Sequence, residues 1–155
     1  MDRGRRRMLK GTGGTAAMAL AMSAGLVRSS GAWADWNKAA FETKSMSDTV
    51  KAMGGAAATE SKDITIVSPD IAENGAVVPF SLSSRIPKTE SIALLVEKNP
   101  SALAANFMIP EGTEAGVTTR VKMGQTSNVI ALVKADGKFY YAVKEVKVTL
   151  GGCGG

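Results

Sequence analysis

An all-β sandwich is the fold class this sequence predicts, and three observations predict it. Beyond Lys62, apolar residues recur at every second position. Turn signals rich in Gly, Pro, Asn and Asp separate these runs at short intervals. The chain of 155 residues, 45% hydrophobic and 21% charged, has the composition of one soluble domain with one sizeable core.

The first element of that domain is helical. From Trp36 to Met53, Ser45-Met46-Ser47-Asp48 has capping-box spacing, Met46, Val50 and Met53 share a helical face, and Gly54 is placed to end the helix. Gly54 to Thr59 reads as a linker. Strand periodicity then follows in Ile64 and Ile66, in Val78, Phe80 and Leu82, and in Ile92, Leu94 and Val96. It continues through Ala105, Phe107 and Ile109, through Val117, Val121 and Met123, and through the run Val129 to Val133. In the final run the apolar phase moves from Phe139, Tyr141 and Val143 to Val146, Val148 and Leu150, which predicts a β-bulge at Lys144-Glu145. Pro79 cannot donate to a ladder and predicts a sheet edge or bulge at that point. Turns are expected at Glu73-Asn74-Gly75, Asn99-Pro100, Pro110-Glu111-Gly112 and Asp136-Gly137, the last suiting a tight primed hairpin. About seven short strands at this spacing make an immunoglobulin-like β-sandwich, with a short N-terminal helix and a flexible C-terminal arm. The expected segments are a leader over 1–34, helix and linker over 35–59, the sandwich over 60–150 and the arm over 151–155.

The leader accounts for the charge of the chain. Of 19 basic and 14 acidic residues, Met1 to Ala34 holds six and one, which leaves 13 of each and a neutral remainder. Arg5-Arg6-Arg7-Met8-Leu9-Lys10 precedes a mildly apolar run from Thr15 to Val27, and Ala32-Trp33-Ala34 places small residues at both positions a signal peptidase reads. This is the layout of a cleavable signal, with the cut expected before Asp35. The apolar run is too short and too rich in Gly, Ala and Ser for a membrane helix of about 20 residues, so no membrane anchor is expected in the mature form. The paired Arg5 and Arg6 resemble a twin-arginine signal, with Gly4 and Met8 in place of the usual Ser or Thr and Phe. That route carries folded proteins to the periplasm, and it suits a chain that acquires a partner subunit before export.

Several chemistries are excluded by what the sequence lacks. It has no His and a single Cys, so neither a metal site with nitrogen and sulfur ligands nor acid/base catalysis by imidazole is available. No cofactor site is visible. With no basic excess in the mature part and no stacking platform, nucleic-acid binding is not expected.

What remains is the arm Gly151-Gly152-Cys153-Gly154-Gly155. Four glycines in five residues cannot pack a core and lose much entropy on ordering, so the segment is expected to be thin and mobile. Cys153 has no second Cys within the chain to pair with, and third from the end it is misplaced for prenylation, which needs the fourth. A lipoprotein Cys would directly follow the cleavage site, where Asp35 stands instead. An ordinary thiol of pKa near 8.5 is only about 3% thiolate at pH 7. The chain supplies no His to raise that fraction, and the terminal carboxylate two residues on opposes it. Activation by the sites of other enzymes makes this chain a substrate carrier, not a catalyst. Two other classes stay open. One is a carrier that uses Gly154-Gly155 as a thiocarboxylate, and the other is an exported structural or adhesive sandwich whose arm is dispensable.

The arginine-led leader, the helix, the sandwich and the ending Val146-Lys147-Val148-Thr149-Leu150-Gly151-Gly152-Cys153-Gly154-Gly155 together resemble the SoxY family. SoxY is the sulfur-carrying subunit of the periplasmic SoxYZ complex. The resemblance implies that Cys153 carries thiosulfate-derived intermediates as covalent adducts. Gly151, Gly152, Gly154 and Gly155 would let the thiol thread a narrow entrance. It implies a heterodimer with SoxZ, a second sandwich subunit without its own export signal. It also implies transient contacts with a haem enzyme that attaches thiosulfate, a hydrolase that releases sulfate and a dehydrogenase that oxidises the remaining sulfane. The labile S–S bond this scheme needs is ordinary thiol chemistry, and so is the risk of over-oxidation at an exposed thiol.

Export yields the first test. N-terminal sequencing of the periplasmic protein should begin at Asp35, and Arg5→Lys with Arg6→Lys should block accumulation there. Normal accumulation of the double variant would overturn the twin-arginine assignment.

Overall fold

A computed structural model describes residues 37–149 of the chain. The leader and the arm, with residues 1–36 and 150–155, lie outside them.

The single helix expected over Trp36 to Met53 is two short helices, α1 (Lys38–Phe41) and α2 (Met46–Ala52). The break follows from side chains that compete for the backbone. Asn37 caps α1, accepting the Ala40 amide at 3.1 Å, and Thr43 Oγ1 donates to Ala40 O at 2.6 Å where a continuing helix would need that carbonyl. Ser45 is extended at φ −138°, ψ 157°, and its hydroxyl accepts the Asp48 amide, which is the cap expected from the sequence. Beyond α2, Gly54 has φ +87°, the Gly54 amide donates to Lys51 O and the Gly55 amide to Val50 O. That left-handed pair of bonds ends the helix where expected. The two helices are tied together by Asn37 Nδ2, which donates to Ala52 O at 2.7 Å.

Nine strands follow among the described residues: β1 (Ala58–Glu60), β2 (Ile64–Val67), β3 (Ile71–Ala72), β4 (Val78–Ser84), β5 (Thr89–Val96), β6 (Leu103–Met108), β7 (Gly116–Val121), β8 (Ser127–Ala135) and β9 (Lys138–Val148). The larger sheet has the order β1-β9-β8-β5-β6, with β3 also pairing β9, and the smaller has the order β2-β4-β7. The fold is the all-β, immunoglobulin-like sandwich predicted, with the two helices as a third layer on the outer face of the larger sheet.

Two cores hold these layers together. Between the sheets lie Val78, Phe80 and Leu82 of β4, Ile92, Leu94 and Val96 of β5, and Val129, Ala131 and Val133 of β8. Beneath the helices, Val50 packs with Ala93, Leu95, Leu103, Ile130, Leu132 and Phe139. Strands β5 and β8 thus bury both faces, which is why Ser91–Val96 and Val129–Val133 are unbroken buried runs. Full burial of a side chain of this size is worth roughly 1.5–3 kcal/mol.

The same two cores correct the expected bulge at Lys144-Glu145. Strands β8 and β9 pair without a shift from Ser127↔Val146 to Ala135↔Lys138. Phe139 and Tyr141 face the helices, and Val143, next on that face, is 46% exposed. Tyr140, Ala142, Val146 and Val148 face the other sheet. The apolar phase changes along a regular strand because different layers cover its two faces at different places. Register does shift in β5, between Thr89 and Ser91 against β8 and between Leu94 and Leu95 against β6. At the first of these Glu90 accepts the Gly137 amide at 3.0 Å and meets Lys134 Nζ at 3.0 Å. The bond from Lys134, then that from Gly137, holds its carboxyl below the usual range.

Part of the expected linker is structured, since Ala58–Glu60 pairs in parallel with Phe139, Tyr140 and Tyr141 as β1. Pro79 sits in the middle strand of the smaller sheet and pairs with Arg120 of β7 without a bulge, which corrects the expected edge or bulge; it is tolerated there because β2 pairs with β4 only as far as Ser81 and leaves Pro79 without a partner on that side. The hairpin at Asp136-Gly137 has φ +49° and +71°, the primed turn the dipeptide predicts.

Gly55 closes the layer of helices onto the sheet. A Cβ at this position would lie 2.5 Å from Phe139 Cδ2 and 2.8 Å from Val50 Cγ1. Gly55→Ala should therefore destabilise the fold by about 1–3 kcal/mol in urea unfolding. Combining it with Phe139→Leu should cost less than the sum of the two single changes, because the ring that clashes is gone. Strict additivity would show that this close approach is not what the glycine serves.

Candidate functional site

The residues singled out by sequence, Gly151, Gly152, Cys153, Gly154 and Gly155, lie outside the described residues, as do Arg5, Arg6, Ala32 and Ala34 of the leader. The structure describes the base on which the arm is mounted. Strand β9, the longest at 11 residues, runs from the Asp136-Gly137 hairpin to Val148 and delivers the chain to the arm. At a rise of about 3.3 Å per residue, roughly 33 Å separate the hairpin from the arm root.

The root is fastened on both sides. Strand β3 pairs in parallel with Lys147 and Val148. The Lys147 amide donates to Asp70 O at 2.9 Å and the Thr149 amide to Ala72 O at 3.1 Å. From the other side Thr126 Oγ1 accepts the Val148 amide at 3.0 Å. The Val148 side chain packs into the core between the sheets and also limits position 75, where a Cβ would lie 2.8 Å from Val148 Cγ1 and 2.4 Å from Met123 O. Glycine is therefore required at residue 75, and the close approach is sealed by the Met123 amide donating to Gly75 O at 2.7 Å. Lys144, half-buried, donates to Ser68 O at 2.7 Å and pairs with Asp70 at 3.0 Å, which braces the segment carrying β3.

From Thr149 to Cys153 is four residues, a maximum of about 13–14 Å at full extension. Within that span of the root the described residues hold no cluster of His, Cys, Asp and Glu able to bind a metal ion. No described helix is long and apolar enough to cross a membrane. The clamp formed by β3, Thr126 and Gly75 was not foreseen. A two-residue strand has no period to read, and the only local signal was the turn at Asn74, which the structure realises with the Ala76 amide on Asn74 Oδ1.

A family model described as sulfur oxidation protein SoxY matches residues 50–153, a span that ends on Cys153. Among solved structures, the sulfur carrier protein SoxY from Chlorobium limicola f thiosulfatophilum is similar at 38% identity and a TM-score of 0.61, covering 66% of this chain and 94% of that one. A superoxide reductase (neelaredoxin) from Ignicoccus hospitalis gives 19% identity and a TM-score of 0.49 over 56% of this chain and 79% of that one, too distant to support an argument. No curated protein sequence matches the chain.

The clamp is testable by hydrogen exchange. Thr126→Val removes the acceptor of the Val148 amide, and the net value of such a bond, about 0.5–1.5 kcal/mol, corresponds to roughly two- to tenfold faster exchange at that amide. Core amides of β5 and β8 should exchange as before. An unchanged Val148 amide would show that the root is held by β3 alone.

Proposed function

The chain belongs to the SoxY family of sulfur oxidation proteins, and from that premise we propose that Cys153 is the attachment point on which it holds thiosulfate-derived intermediates and presents them to partner enzymes. The observation that carries this reading is that the family match extends through the described domain to end on Cys153, the only thiol of the chain. The arm brings one reactive side chain, the Cys153 thiol, among four glycines, and in this reading the protein is the carrier while its partners supply the catalysis.

The chemistry balances on one sulfur. The Cys153 thiolate and thiosulfate join through a new S–S bond as a haem enzyme removes two electrons, leaving a cysteine S-thiosulfonate of charge −1. Water then attacks the outer sulfur, sulfate leaves with two protons released, and the persulfide anion stays on Cys153. Each adduct is a disulfide-like bond that a reductant cleaves. The clamped root supports this use, because it fixes where the arm starts while four residues of reach let the sulfur enter a cleft.

The remaining parts of the reading concern setting. Export to the periplasm by the twin-arginine route and pairing with a SoxZ-like β-sandwich subunit follow from the leader and from family membership. The open edges of the described sheets at β6, β2 and β7 offer ladders for such pairing.

Cys153→Ser should leave folding and subunit pairing intact and abolish thiosulfate-dependent turnover of the reconstituted system, since a hydroxyl cannot form the reducible bond. Gly152→Trp or Gly154→Trp should slow turnover without preventing chemical labelling of the thiol. Intact-mass analysis should place reductant-sensitive adducts on the C-terminal peptide at Cys153. Full activity of Cys153→Ser, or sulfur mapping to the Gly155 carboxyl group instead, would falsify the proposal.

A further inference from the structure

Of the five asparagines of the chain only Asn74 precedes a glycine, and of its aspartates only Asp136 does. In both places no side chain obstructs attack of the next backbone nitrogen on the side-chain carbonyl carbon. The structure separates the two. At Asp136 that nitrogen is occupied, since the Gly137 amide donates to Glu90 Oε1 at 3.0 Å. The Gly75 amide has no acceptor among the described residues, and Asn74 is exposed to water. The Asn74 carboxamide is also held ready, because its Oδ1 accepts the Ala76 amide at 2.9 Å. A backbone N–H at that distance draws electrons from the carbonyl and stabilises the negative charge that collects on the oxygen during attack.

The dipeptide lies within the clamp of the arm root. Ala72 O accepts the Thr149 amide at 3.1 Å, and Gly75 O accepts the Met123 amide at 2.7 Å. Gly75 has no room to shift, since even a Cβ there would lie 2.4 Å from Met123 O and 2.8 Å from Val148 Cγ1. The short span from Ala72 to Gly75 is thus tied at both ends, with Glu73 and Asn74 exposed between them.

We infer that Asn74 is a self-modification site, where water converts it to isoaspartate and thereby loosens the arm root. The Gly75 nitrogen gives up its proton to solvent and bonds to Asn74 Cγ, while Nδ2 takes a proton from water and leaves as ammonia, closing a succinimide. Water then opens the ring at either carbonyl. Opening at Cγ gives aspartate. Opening at the main-chain carbon breaks the original peptide bond and gives isoaspartate, with the chain now running through Cγ and one methylene longer. The net reaction is asparagine plus water to isoaspartate plus ammonia, with no change of oxidation state. The Asn74 carbonyl, which accepts the Val77 amide at 3.4 Å, leaves the main chain as a carboxylate. Because Gly75 is blocked, the added length is taken up at Ala72, whose bond to the Thr149 amide is the last tie before the arm. Neither step involves Cys153, so the inference stands independently of the carrier reading.

The test ages the purified full chain in mildly alkaline buffer and maps isoaspartate by digestion and mass spectrometry, with fresh protein alongside. Isoaspartate should accumulate at residue 74 and not at residue 136. In the separated isoaspartate form the Thr149 amide should exchange roughly two- to tenfold faster than in fresh protein, the range expected for loss of one such bond. Core amides of β5 and β8 should keep their rates. Asn74→Ser retains a side-chain oxygen for the Ala76 amide and has no carboxamide, so ageing should leave its Thr149 exchange unchanged. Absence of isoaspartate at residue 74, or equal amounts at residues 74 and 136, would overturn the assignment of the site. An unchanged Thr149 rate in the isoaspartate form, or the same acceleration in aged Asn74→Ser, would overturn its link to the arm root.

Discussion

Strand β9 is the constraint on which the rest of this protein depends. It pairs with β8 along its length, with β1 near its start and with β3 at its end, and its two faces enter both hydrophobic cores. A slip of one residue would exchange those faces. Phe139 would leave the helical layer, Val146 would leave the sandwich, and the exit of the chain would no longer meet Asp70, Ala72 and Thr126. The position of the arm root is thus set by the same packing that stabilises the domain.

How legible this was in the sequence depends on the covering of each face. Strand β4 alternates between core and outside, and Val78, Phe80 and Leu82 announced it. The helix cap at Ser45 and the hairpin at Asp136-Gly137 were legible because each rests on local chemistry: a hydroxyl on an amide, and two residues tolerant of positive φ. The change of phase in β9 was not legible as what it is. One dimension of sequence cannot show that helices cover Phe139 and Tyr141 while leaving Val143 bare. Likewise β1 and β3 are held by pairing with a distant strand, and Ala58–Glu60 and Ile71–Ala72 are too short for any period to reveal them.

The site was legible in the opposite way. Cys153 stands out by composition alone, since no core needs four glycines around a thiol. What the sequence could not supply is the mounting. Thr126 lies 22 positions from Val148, and Gly75 is separated from it by most of the sandwich, so only the folded chain brings them to one place. Their role is positional, since they fix the point at which the arm begins.

A clamped origin and a short arm have a further physical consequence for a carrier. If the arm were anchored loosely, the volume explored by Cys153 would grow with every unfastened residue, and its effective concentration at any partner's entrance would fall. With the chain tied as far as Thr149, four residues and at most about 13–14 Å separate the clamp from Cys153.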